Sequence, residues 1–336
     1  MKGLSARLPV NCGPHAATGV TFLRAYWITM RPYLFFVSGV SGLVGLAMSR
    51  PMPLSNLLAA LAVFLLAYGF GQALTDVSQI DTDSLSAPYR PLVLGEISRR
   101  QVAAVSLFGL TICGATLWVL APATLALSFA GALGLVAYTS LKRRWWGGPP
   151  WNAAIVALLP VMGFLCAREP LSTTSALRLL PWGVSSVFFS YGVFVILGYF
   201  KDIEADRAAG YETLPVKVGR RTSVMVSAIW LAAALGSSAM LVVRAAEARS
   251  GVGPDRLLAL VAWCAGAALL ALAHGQMLRT TNDEQAHPAI ARSVRGFVWL
   301  HCGEVAWLRA EFAPLGLLFA VLFEAALRRR PCEQQI

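Results

Sequence analysis

Nine long apolar runs decide what this chain can become. They cover residues 26–48, 54–75, 101–120, 121–140, 152–167, 179–200, 222–243, 257–278 and 310–327. Each approaches the roughly 20 residues that cross a hydrocarbon core at 1.5 Å of rise per residue. Backbone groups in hydrocarbon must be satisfied within their own segment, so each run forms a helix rather than an open strand. The 336-residue chain is only 13% charged, where a soluble domain carries about 25%. Lipid therefore solvates most of its surface. The expected fold is all-α: a polytopic transmembrane helical bundle of about nine helices, or eight if one run does not cross. A single domain is expected over residues 24–330. Residues 1–23 read as a disordered cytoplasmic tail, without the charged and apolar regions of a cleaved signal peptide.

The net charge of +11 would point to nucleic acid in a soluble protein. Here the positive-inside rule accounts for it, and no nucleic-acid partner is expected. With nine helices and the N-terminus in the cytoplasm, Lys and Arg divide eighteen inside against nine outside, with Arg309 unassigned near the last helix. Arg328, Arg329 and Arg330 dissent from that pattern by falling outside. The six cysteines are scattered without a C-x-x-C pair, so neither a disulfide framework nor a zinc site is expected. His274, His287 and His301 show no ligand spacing and read as structural. The stretch 295–311 reads as amphipathic and interfacial.

The long polar connections, 76–100, 141–151, 201–221 and 279–295, all fall on the predicted cytoplasmic side. The first and third hold Asp76, Asp81, Asp83, Glu96, Asp202, Glu204, Asp206 and Glu212, eight of the chain's 17 acidic residues. One acidic loop could simply be solvated surface. Two, each continuing from an apolar helix, point to function, because ionisable groups at membrane helix ends are costly. If the sixth helix continues, Asp202 and Asp206 form an i, i+4 pair on one face. Such carboxylates repel each other unless a cation lies between them, and Mg²⁺ favours a few carboxylates plus substrate phosphate oxygens. In the earlier segment Gln72 and Asp76 share a helical face, with Asp81 and Asp83 just beyond. Pro88 and Pro91 stiffen the turn that presents Arg90, either to its acidic neighbours or to a diphosphate.

Two segments carry a family resemblance. Lys201 to Val216 reads KDIEADRAAGYETLPV, and Pro88 to Ser98 reads PYRPLVLGEIS. With Arg31-Pro32, the Tyr138-x-x-x-Lys142 pair and Asn152, these resemble the signatures of the UbiA superfamily of intramembrane prenyltransferases in order and spacing. The first Asp-rich motif departs from the family's N-x-x-x-D-x-x-x-D. A gapless count from Pro88 puts Thr75, Gln79 and Asp83 at those three positions. A short insertion instead puts Gln72 and Asp76 at the first two and Asp81 or Asp83 at the last. The second register is preferred because it keeps a carboxylate at the first metal position.

The resemblance implies a prenyl diphosphate donor, a lipophilic or aromatic acceptor, and two Mg²⁺ ions bridging the acidic motifs to the diphosphate. It implies Asp76, Asp81, Asp83, Asp202 and Asp206 as metal ligands. Arg31, Gln72, Arg90, Asn152 and Lys201 would bind substrate. Tyr138 and Tyr199 would shield an allylic cation, with Lys142 beside the leaving group. Each has a plainer alternative. The tyrosines suit interfacial anchors, Lys142 adjoins Arg143 and Arg144 in a basic cluster, and Arg31 could snorkel. The expected setting is a membrane, a bacterial inner membrane with the site on its cytoplasmic side. The rivals are a UbiA-type terpene cyclase and a non-catalytic transporter or lipid-binding protein.

Overall fold

The computed structural model describes residues 22–49, 51–166, 174–247 and 254–330, so the expected N-terminal tail lies outside the described residues, apart from its last two positions. The helices are α1 (Phe22–Met30), α2 (Phe35–Met48), α3 (Leu54–Asp76), α4 (Ile80–Ser86), α5 (Arg99–Leu120), α6 (Thr124–Lys142) and α7 (Gly148–Cys166). They continue as α8 (Thr174–Gly198), α9 (Ile203–Ala208), α10 (Leu214–Glu247), α11 (Pro254–Met277), α12 (His287–Leu308) and α13 (Ala313–Arg328). Among the described residues nine helical spans are long and apolar enough to cross a membrane, α1 and α2 together forming the first. The all-α expectation holds.

The bundle is not uniformly buried. The first span is enclosed by its neighbours, whereas α5, α6, α10, α11 and α13 turn large apolar side chains such as Phe108, Phe129, Ile229, Leu258 and Val321 outward. Lipid-facing surfaces need no polar residues, and these helices have few. Close helix contacts rest on glycine, the usual device where no hydrophobic drive pulls apolar helices together in lipid. A Cβ at Gly45 would collide with the Pro160 carbonyl, and one at Gly163 with the Gly42 carbonyl, so α2 and α7 touch backbone to backbone.

The interfacial reading of 295–311 is corrected. Residues 295–308 belong to α12, one of the most buried helices in the bundle, and only 309–311 lie beyond its end. It runs antiparallel to α11, with Gly266 against Leu300 and Gly303 against Trp263. Its polar groups find partners on neighbouring helices instead of headgroups. Arg292 donates to Gln276, and Arg295 Nε lies 2.9 and 3.0 Å from the Glu324 carboxylate on α13. At its far end the Arg309 guanidinium donates to the Ser49 carbonyl, just past α2. At 22 residues, about 33 Å, α12 is long enough to run the depth of the bundle, enclosed by its neighbours, although it is not one of the nine apolar spans. Helix α13 then returns, bringing Arg328 to Arg330 to the end that holds the acidic loops. The apparent exception to the charge bias disappears.

That end carries the local devices that shape the site. Helix α5 starts in a capping box: Ser98 Oγ accepts from the Gln101 amide at 3.2 Å, while Gln101 Oε1 accepts from the Ser98 amide at 3.1 Å. This fixes the exit from the Pro88–Pro91 turn. Gly210, at φ +76°, reverses the chain after α9.

Candidate active site

A cavity of about 710 Å³ lies between α3, α5, α6, α7 and α8. It extends from Lys142, Lys201 and Asp202 at the loop end to Trp118 and Leu125 at the opposite end of α5 and α6. Its length is apolar, with Leu110, Phe129, Leu135, Ile155, Leu159 and Phe194 on the walls. Its mouth is charged: Arg31, Gln72, Asp76, Gln79, Asp83, Arg90, Lys142, Lys201 and Asp202 all line it.

The first acidic segment is split by the end of α3. Gln72 and Asp76 stay on its last turns, and Gln72 Nε2 donates to Asp76 Oδ1 at 2.7 Å. Arg31 Nη2 donates to both Asp76 oxygens, at 3.0 and 2.8 Å. The chain then turns through Val77–Gln79 and restarts as α4. Within α4, Asp83 faces the cavity and pairs with Arg90, while Asp81 turns away. Asp81 is 42% exposed and bonds Arg143 Nη2 at 3.2 Å and the Tyr211 hydroxyl at 3.1 Å. It stands apart from the other proposed ligands. Burial pushes the Asp83 carboxyl up from its ordinary value; Arg90 draws it down, and Asp76 pushes it up again.

The second segment does not form one continuous helix. α8 tightens into a 3-10 turn at Tyr199–Lys201, Asp202 sits at the break, and α9 begins at Ile203. Asp202 lines the cavity, whereas Asp206 is fully buried and does not. Asp206 Oδ2 accepts from Thr213 Oγ1 at 3.1 Å, and Oδ1 faces Lys142 Nζ at 3.4 Å, an ion-pair distance, without a hydrogen bond. Burial pushes Asp206 up to about 6, against the pull of Lys142 and with the push of Asp202. At Asp202 burial acts in the same direction, but Lys201, Lys142 and Arg90 outweigh it and hold the carboxyl below its ordinary value. Asp206 thus faces Lys142, whereas Asp202 lies on the cavity wall with Lys201 as its strongest cationic neighbour.

The remaining predicted residues also converge. The Tyr138 and Tyr199 hydroxyls are 3.0 Å apart and buried. Asn152 lies beside Tyr138 on the cavity wall, and Lys142 Nζ is 5.7 Å from the Tyr199 ring centre. Lys201 reaches the wall yet makes no hydrogen bond or ion pair within 4 Å among the described residues. Sequence reasoning missed the role of Gln79, whose Oε1 accepts from Lys142 Nζ at 3.1 Å. It also missed Tyr68 and Tyr191 deeper in the cavity. The gapless count did place Gln79 in register with Asp83; for Tyr68, its position four residues before Gln72 was the available signal.

Among the described residues no three of His, Cys, Asp and Glu converge closely enough to hold a metal alone. Asp83 and Asp202 supply hard oxygen ligands at the mouth, which suits Mg²⁺ completing its shell with water and phosphate oxygens. The polar groups deep in the bundle, His301 and Glu304, do not line this cavity. That argues against an ion pathway at the midplane, where transporters place such groups.

An apolar cavity with one charge-dense mouth, set in a lipid-embedded bundle, fits a molecule with a long apolar tail and an anionic head. The chain belongs to the UbiA prenyltransferase family, whose model matches residues 34–301. It is 27% identical over 219 residues to a digeranylgeranylglyceryl phosphate synthase from Methanoregula boonei, covering 65% of this chain and 77% of the relative. Its fold is similar to a UbiA homologue from Aeropyrum pernix K1, with a TM-score of 0.66, 22% identity, and 80% and 95% of the two chains covered. A UbiA homologue from Archaeoglobus fulgidus bound to DMAPP and Mg²⁺ matches with a TM-score of 0.61 at 16% identity, over 91% and 99% of the chains.

Proposed function

We propose that the chain transfers a prenyl group from a prenyl diphosphate to a lipophilic acceptor in this cavity, releasing pyrophosphate with Mg²⁺ as cofactor. The observation that carries this reading is the pairing of one apolar cavity with Lys201, Asp83 and Asp202 at its mouth. The tail lies among the apolar walls, and burying it holds the head at the charged end. Asp83 and Asp202 hold Mg²⁺, which neutralises charge building on the leaving pyrophosphate. Lys201 and Arg90 bind the diphosphate, Arg90 in fork geometry. Arg31 fixes Asp76, and Lys142 keeps positive charge near the bond that breaks. Tyr138 and Tyr199 stand where their ring faces can shield the allylic cation. The enclosing helices limit hydrolysis by excluding water. Asp81 is left out of the ligand set.

The acidic loops and most basic residues share one end of the bundle, and the positive-inside rule makes that end cytoplasmic. We place the protein in a cell membrane, a bacterial inner membrane in our reading, although the relatives named above are archaeal. The name of the Methanoregula relative makes a phosphate-bearing glyceryl lipid a stronger acceptor candidate than an aromatic ring. The test incubates purified protein with a prenyl diphosphate and Mg²⁺, with an aromatic acceptor, a prenylated glyceryl phosphate, or neither. Pyrophosphate with a prenylated adduct supports transfer. Pyrophosphate with a cyclic hydrocarbon and no adduct replaces it with the cyclase reading.

A further inference from the structure

We propose that Gln79 and Lys142 make this a one-metal site, in which the Lys142 ammonium takes the place of a second divalent cation between the two acidic segments. The inference rests on the metal–diphosphate reading above and sharpens it. Three carboxylates reach the cavity wall: Asp76, Asp83 and Asp202. Asp76 is already engaged on both oxygens, by Arg31 and by Gln72. Asp206 is enclosed behind the wall with Thr213 and Lys142. Asp83, which meets Arg90 through Oδ2 alone, and Asp202 remain, which is what a single Mg²⁺ with phosphate and water ligands uses. Two ions held side by side need further carboxylates to separate and anchor them.

Position 79 is where that further carboxylate would be. Gln79 lies on the cavity wall one turn before Asp83, and its side chain carries no charge. Its carboxamide oxygen is occupied by Lys142 Nζ at 3.1 Å, and the same ammonium lies 3.4 Å from Asp206. Lys142 thus joins the two segments at the cavity, touching Gln79 of the first and Asp206 of the second, whereas Arg143 and Tyr211 link them through the outward-facing Asp81. The Lys142 ammonium is held by an acceptor that a carboxamide provides without attracting a metal in its place. Formal charge points the same way. At the mouth Asp76, Asp83 and Asp202 face Arg31, Arg90, Lys142 and Lys201, a surplus of one positive charge, so a single Mg²⁺ completes the balance of a diphosphate carrying about three negative charges.

The test counts metal, using Mn²⁺ as the probe with saturating inorganic pyrophosphate and the full detergent-solubilised chain. Equilibrium dialysis gives the stoichiometry, and electron paramagnetic resonance separates isolated Mn²⁺ from a spin-coupled pair. We expect one uncoupled Mn²⁺ per chain in the parent and two, spin-coupled, in Gln79→Asp. Two in the parent, or one in Gln79→Asp, overturns the one-metal inference and leaves the metal–diphosphate reading standing. None in either protein overturns both.

Discussion

His301 Nδ1 lies 2.6 Å from Glu304 Oε2, one turn apart on α12, and neither side chain has any exposed surface. Glu304 Oε1 also accepts from Ser186 on α8 at 2.6 Å and from Ser238 on α10. Trp263 on α11 donates to Ser238 at 2.7 Å. Ser190 Oγ lies 2.9 Å from His301 Nε2 and 2.6 Å from the Ser186 carbonyl. Four helices meet at these two residues. Removing one member of a buried pair costs about 3–5 kcal/mol, whereas replacing both with apolar side chains can be neutral. Glu304→Leu is therefore expected to lower thermal stability in detergent sharply, and adding His301→Leu to recover much of the loss. A Glu304→Leu protein as stable as the parent would remove the clamp from the account of the fold.

Arg31 combines a strained backbone with a contact at the mouth of the cavity. Its backbone is left-handed, at φ +54° and ψ +65°, immediately before Pro32, and such a conformation costs a non-glycine residue about 1–2 kcal/mol. The turn aims the guanidinium at both oxygens of Asp76. Arg31→Gly and Arg31→Ala lose that contact equally, but glycine tolerates the backbone. Both variants should raise the donor KM by a similar factor. The glycine variant should be the more stable of the two by about 1 kcal/mol. Equal melting temperatures for the two would show that the turn stores no strain.

Much of the site is legible in the sequence where it is local. Lys201 to Val216 carries its chemistry in one unbroken stretch, and Pro88 to Ser98 is a turn fixed by its prolines and a capping box. What sequence spacing does not show is where a helix stops. Asp202 and Asp206 would share a face on a continuous helix, but the tightened turn at Tyr199–Lys201 puts one on the cavity wall and the other behind it. The break after Asp76 similarly turns Asp81 outward and Asp83 inward. The buried role of α12 was hidden for another reason. His301 and Glu304 look amphipathic along their own helix, and the groups that satisfy them come from α8, α10 and α11.

The division between Asp81 and Asp83 can be measured directly. Asp83 faces the cavity beside Arg90, and Asp81 holds an exposed pair with Arg143. Loss of a group that stabilises developing charge lowers kcat by about 100- to 1,000-fold. An exposed ion pair is worth little. Asp83→Asn should fall in the first range, and Asp81→Asn should stay within about threefold of the parent. The reverse order would return Asp81 to the metal site and require α4 to rotate when substrate binds.

The cavity also makes a prediction about donor length. Ala132 lines it on α6, ten residues before Lys142, which is about 15 Å along the helix axis. Leu125 lies about 25 Å from Lys142 by the same measure. A tail that passes Ala132 still has apolar wall to fill, and a shorter one never meets that position. Placing tryptophan there should obstruct only the longer tails. Overpacking of this kind costs about 1–3 kcal/mol, or roughly 5- to 150-fold in kcat/KM. Ala132→Trp is expected to lower kcat/KM for a geranylgeranyl donor within that range and to leave a geranyl donor nearly unchanged. A matching loss for both donors would mean that the tail does not run along α6.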